Sequence, residues 1–327
     1  MIAVAATDLN SKFVSIDVPP GAWVALGVAI AVLLGVDLIR HRDNHEPGQK
    51  ETLVESAVWV ACGLAFSGVV AFVWGFDAFG EYLSGYLIEK SLSVDNVFVW
   101  SILLTTLAIP LRYQHRVLFW GIFGALVLRG AFIAVGSSLI NRFTFVLFVF
   151  GVFLVYTGFK VIRHRDDEGE SATRILAMVR RLVPIAPRLD GHKFLTKVDG
   201  KRIATPLLAA LVVVEITDVI FAVDSVPAIL AVSHEPYLVF SSNAFAILGL
   251  RALYFVLAGA RQRFHYLSHG LGAILIFVGL KMTASLWYHL NTFVSLGVIG
   301  AILTAAIAFS ERRSRRAGLE GAEPRPR

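Results

Sequence analysis

Apolar residues run through this chain in long stretches separated by short clusters of charge. Nine stretches predict membrane-crossing helices, since a span needs ~20 predominantly apolar residues. They cover roughly residues 22–39, 53–75, 82–108, 116–140, 143–162, 205–232, 242–260, 269–290 and 292–310. The pattern predicts an all-α, polytopic membrane protein with about nine transmembrane helices.

Charge then sets the orientation. With the N-terminus outside, the cytoplasmic loops carry 23 Lys and Arg residues and the external segments only two, Lys12 and Arg142. This bias predicts an N-out, C-in topology. The only sizeable loop, 163–203, is basic. Ile175, Leu176, Val179, Leu182 and Val183 give it either an interfacial amphipathic helix or a solvated linker. The tail after Ser310 is basic, contains Gly and Pro, and is expected to be disordered.

Composition agrees with many spans and excludes other classes. The chain has 327 residues, 56% apolar and 17% charged, against about a quarter charged in soluble domains. Its +6 formal charge lies mainly in loops and signals no nucleic-acid partner. The lone cysteine, Cys62, rules out an internal disulfide or thiolate metal site. No basic region precedes the first apolar run, so a retained first span is expected rather than a cleaved signal.

Inside the apolar runs lies an internal repetition. Glu89-Lys-Ser-Leu-Ser-Val-Asp95-Asn96-Val and Asp218-Val-Ile-Phe-Ala-Val-Asp224-Ser225-Val share one pattern. Leu128-Arg129 is matched by Leu250-Arg251. Gly151-x2-Leu154-x3-Gly158-Phe159-Lys160 is matched by Gly272-x2-Leu275-x3-Gly279-Leu280-Lys281. The marks come in the same order in spans 3–5 and 6–8. Three spans per unit give the two units opposite orientations, as in secondary transporters with a midplane site. A shared helix-packing solution is the alternative. The chain thus divides into helices 1–2 (1–81), a first three-helix repeat (82–162), a basic cytoplasmic loop (163–204), a second repeat (205–290), and a ninth helix with a basic tail (291–327).

Glu89, Asp95, Glu215, Asp218 and Asp224 fall within these spans. Each ionised side chain at the bilayer centre costs ~2.5–3.5 kcal/mol on insertion scales. Such groups must face the bundle interior and be paired, protonated or bound to cations. Together with Asn96, Ser225 and nearby hydroxyls they form an all-oxygen donor set, which suits Mn²⁺, Mg²⁺ or Ca²⁺. On a straight helix Glu215 and Asp218 share a face, while Glu215 and Asp224 point opposite ways. Asp95 with Asp224 is therefore the expected central pair, with Glu89, Glu215 and Asp218 forming a second subsite or a proton path. Arg129, Arg251 and Lys281 are expected to be intramembrane charge partners. Glu55 reads as interfacial and Asn243 as a helix cap. Pro227 predicts either an unwound segment beside Asp224 or a simple kink.

The stretches 89–99, 215–228 and 242–255 closely resemble the TerC/Alx family, and the resemblance runs from about the second span to the eighth. It implies a multi-pass bacterial inner-membrane protein linked to manganese efflux, to metal supply for exported enzymes, and to tellurium resistance. It also implies that the metal path follows Glu89, Asp95, Asn96, Glu215, Asp218, Asp224 and Ser225. Manganese, rather than another hard divalent ion, rests on that resemblance. The expectation is an exporter, not an enzyme, with no resident cofactor, Mn²⁺ as substrate and the lipid bilayer as its medium. Proton exchange is one way to drive it. The alternative is a non-transporting accessory protein serving secretion machinery or exported metalloenzymes.

Overall fold

The computed structural model describes residues 13–40, 48–143, 145–163, 174–179, 181, 184–198, 201–258, 266–284 and 290–320. Its helices are α1 (Pro20–Arg40), α2 (Gln49–Trp74), α3 (Phe76–Thr106), α4 (Leu111–Arg142), α5 (Phe145–Arg163), α6 (Pro206–Leu230), α7 (Pro236–Leu248), α8 (Leu250–Ala258), α9 (Leu267–Ala284) and α10 (Thr292–Glu320). Among the described residues, seven helical segments are long and apolar enough to cross a membrane. The protein is therefore an all-α polytopic membrane protein. One of the seven is 236–256, which joins α7 and α8. Two predicted spans are not among them. Helix α3 carries Asp77, Glu81, Glu89, Lys90 and Asp95, and the described apolar part of α9 is Ser268–Ala284, with 285–289 outside the described residues.

Local chemistry sets the helix ends. Gly75 alone separates α2 from α3, at φ 91°, a conformation open to glycine at no steric cost. Pro206 and Pro236 start α6 and α7, where a missing N–H is harmless. Helix α6 continues through Pro227 to Leu230, so no unwound segment lies beside Asp224 in this state. Helix α10 continues past Ser310 to Glu320, where a disordered tail was expected. Arg, Ala and Glu are good helix formers, and no proline interrupts this stretch.

The 163–203 loop contains more than a linker. Residues 174–179 are helical, with Leu176 and Val179 buried; Leu182 and Val183 lie outside the described residues. Beyond them, β1 (Leu195–Val198) pairs antiparallel with β2 (Lys201–Ala204), Leu195 opposite Ala204.

Helix packing follows a reciprocal plan. Helix α3 packs along α7, α4 packs along α6, and α5 crosses α9 in the tightest contact. At that crossing Gly151 faces Gly279 and Gly158 faces Gly272. A Cβ built on Gly158 would lie 2.7 Å from the Gly272 carbonyl oxygen, and one on Gly279 would lie 2.6 Å from that of Gly151. Only glycine lets two backbones approach this closely, the usual use of small residues between membrane helices. Helices α1 and α2 sit outside this core, with α1 against α7 and α2 against α3 and α8.

Candidate functional site

Arg129, on α4, lies at the centre of a buried charge cluster. Its Nη2 donates to Asp218 Oδ1 at 3.0 Å and its Nε to Asp218 Oδ2 at 3.3 Å. Its Nη1 pairs with Glu89 Oε1 and donates to Ser225 Oγ at 3.2 Å. Glu89 also accepts from Ser93 Oγ and, through Oε2, from Asn243 Nδ2, each at 3.2 Å. Glu89, Arg129 and Asp218 are each at most 1% exposed. One guanidinium thus ties α3 to α6, the two helices that carry the repeated acidic motif. Removing one partner from such a pair leaves an uncompensated buried charge, so all three must stay together or change together.

The remaining predicted residues take separate places. Glu215 lies against Gly124 of α4, and its Oε2 is buried without a hydrogen-bond partner among the described residues. Asp224 Oδ1 accepts from Thr157 Oγ1 of α5 at 3.4 Å. These different neighbours follow from the opposite helix faces on which Glu215 and Asp224 fall. Asn96 is buried, with its Nδ2 lacking a partner among the described residues. The Asp95 backbone lies in α3, but its side chain is outside those described, so the Asp95–Asp224 pairing is carried forward as an expectation. Lys281 is buried on α9 and faces Glu81 electrostatically, while Lys160 is exposed. Among the described residues, no three His, Cys, Asp or Glu gather closely enough to hold a metal. In this state an arginine fills the space between Glu89 and Asp218.

Arg251 has acidic partners of its own. It pairs with Asp37 of α1, and its Nη2 donates to Glu55 Oε1 at 3.0 Å. All three are buried. The sequence reading missed Asp37 as a buried acid and gave Glu55 no partner, whereas Glu55 is buried against Arg251. The one available signal was that Asp37 falls inside the first apolar run. Asn243 is not a cap: α7 begins at Pro236, about two turns earlier, and places the amide on Glu89.

The model of the integral membrane protein TerC family matches residues 74–318. The chain belongs to the TerC family. It is 45% identical over 307 residues to the uncharacterized membrane protein STKORF319 of Myxococcus xanthus, covering 93% of this chain and 96% of that one. It is 42% identical over 297 residues to the putative membrane-bound redox modulator Alx of Escherichia coli K12, covering 87% and 92%. It is 38% identical to the tellurium resistance protein TerC of Serratia marcescens, covering 89% and 94%. No solved structure matches. The TerC-family match spans both charge-bearing helices, α3 and α6, and both arginines.

Proposed function

We propose that this TerC-family chain exports a hard divalent cation, manganese first, across a bacterial inner membrane. The observation that carries the reading is the Arg129 tie between Glu89 and Asp218. Buried carboxylates on two motif-sharing helices are costly in a membrane, which favours a role for them beyond tying the helices together. They provide hard oxygen donors once the guanidinium moves aside, with Ser225, Asn96, Asp95 and Asp224 continuing the path and Glu215 beside it.

The inverted-repeat reading draws support from the packing. Exchanging the repeats turns the Gly151–Gly279 contact into Gly272–Gly158, and turns α3 on α7 into α6 on α4; both counterparts are present. With α3 and α9 counted as spans there are nine, N-out and C-in. The ion enters from the cytoplasm and leaves as one repeat rocks against the other. Proton exchange is the proposed driving force, and efflux indifferent to a pH gradient would remove that part.

A specific observation keeps a second reading in view. Relatives bear redox and tellurium names, and a non-transporting protein that hands metal to secreted enzymes would hold the same donors. Manganese flux in proteoliposomes separates the two. The exporter reading predicts flux in wild type, reduced by other hard divalent ions. Correctly folded protein that binds Mn²⁺ but moves none favours the accessory role.

A further inference from the structure

We propose that Arg129 and Arg251 take turns on the Glu89–Asp218 pair, and that Asp37 and Glu55 form the station where Arg251 waits. The inference rests on the inverted-repeat transporter reading above and deepens it. Glu89 and Asp218 are counterparts in the two repeats, as are Arg129 and Arg251. Arg129 is held by the acid of its own repeat and by the acid of the other. Exchanging the repeats converts this set into Arg251 with Asp218 and Glu89, the same two carboxylates. Both arginines are therefore matched to one pair. Arg129 now occupies both Asp218 oxygens and one of Glu89, which leaves no room for a second guanidinium in the same pose.

The displaced arginine needs another anion, because a lone guanidinium in the membrane is expensive. Asp37 and Glu55 supply it. They come from α1 and α2, which precede the repeats and have no counterparts in them. A station offered to only one arginine breaks the symmetry and holds the molecule in one of two related states.

Helices α7 and α8 join the two arginine sites. Helix α7 already touches the pair through Asn243 and Glu89. Lys90, next to Glu89, donates to the Ala246 carbonyl at 3.1 Å. Gly249, the break between α7 and α8, sits beside Lys90 Nζ and lies two residues before Arg251. Between the two arginine-held states the pair keeps two negative charges, which one divalent cation neutralises. The exchange thereby couples ion occupancy to the change of state.

Spin labels at the exposed positions Val54→Cys on α2 and Leu280→Cys on α9, in a Cys62→Ser background, read the state as a distance. The parent is expected to give one distance. Asp37→Asn with Glu55→Gln adds a second population, and adding Arg251→Met abolishes it. A distribution unchanged by the double substitution, or a second population that survives Arg251→Met, overturns the proposal. The triple variant removes the charges of Asp37, Glu55 and Arg251 together. It is expected to melt within a few degrees of wild type while manganese flux falls at least tenfold, and wild-type flux in it also overturns the exchange. The label distances need no transport. A wild type without flux would count against the exporter reading alone, and the distances would still decide the exchange.

Discussion

Adding one methyl group at the α5–α9 crossing should cost more than its size suggests. A Cβ on Gly158 would lie 2.7 Å from the Gly272 carbonyl oxygen and 2.9 Å from the Ile276 backbone nitrogen. One on Gly279 would lie 2.6 Å from the Gly151 oxygen and 2.8 Å from the Val155 nitrogen. Ordinary carbon contacts need ~3.5 Å, so the helices must separate by somewhat less than 1 Å. Backbone atoms, unlike the end of a side chain, cannot swing away. Overpacking of this kind costs ~1–3 kcal/mol, against an intrinsic gain of ~0.8–1 kcal/mol for Gly→Ala in a helix. Gly27 and Gly297 are the controls, since nothing lies within 4 Å of a Cβ built on either. Thermal melting in detergent should therefore place Gly158→Ala and Gly279→Ala below wild type, and Gly27→Ala and Gly297→Ala at or above it. The proposed pseudo-two-fold further requires Gly151→Ala and Gly272→Ala to behave like their mates. Crossing variants as stable as the controls would refute both the close approach and the symmetry drawn from it.

Other outcomes follow from the charge cluster and the loop. Arg129→Met leaves Glu89 and Asp218 buried without their cation and should lower stability by about 3–5 kcal/mol; adding Glu89→Gln and Asp218→Asn should restore melting but not flux, and a single variant melting like wild type would contradict the pairing. Asn243→Ala removes a donor to buried Glu89 and should cost about 1.5–3 kcal/mol, read by the same melts. In the loop between α5 and α6, hydrogen bonds from Thr196 and Lys193 hold the Asp190 carboxyl below its usual range. Its folded value is depressed, so its contribution is present above the ordinary carboxylate range and is lost as pH falls through the depressed value. Amide exchange in β1 and β2, corrected for its intrinsic pH dependence, should speed up under that acid condition. Asp190→Asn should speed it at neutral pH, and equal rates in wild type and variant would contradict this.

Much of this organisation was legible because its signals were local. The apolar runs marked the helices, and the repeated acid-x4-Val-Asp motif marked α3 and α6. The Gly-x6-Gly spacings of α5 and α9 were legible as matching marks, though not as two faces of one crossing. Helical angles alone sent Glu215 and Asp224 to different neighbours. What stayed hidden depended on distant partners. Asp37 and Glu55 lie 214 and 196 residues from Arg251, and nothing near either announces a buried triad. Asn243 was misread because the start of α7 was placed at Ser242, although Pro236 is the better starting signal. The β1–β2 hairpin did carry a local mark: Asp199-Gly200 stands between its strands, a dipeptide suited to two-residue hairpin turns. The basic charge of the surrounding loop drew the reading toward a helix or linker instead.

The measurement that bears most directly on the proposed function is manganese flux into proteoliposomes by wild type, Asp95→Asn and Asp224→Asn, with correct folding checked for each. Export through carboxylates between the repeats predicts flux in wild type and its loss in both variants. Wild-type flux in either variant, or none in folded wild type, would contradict it.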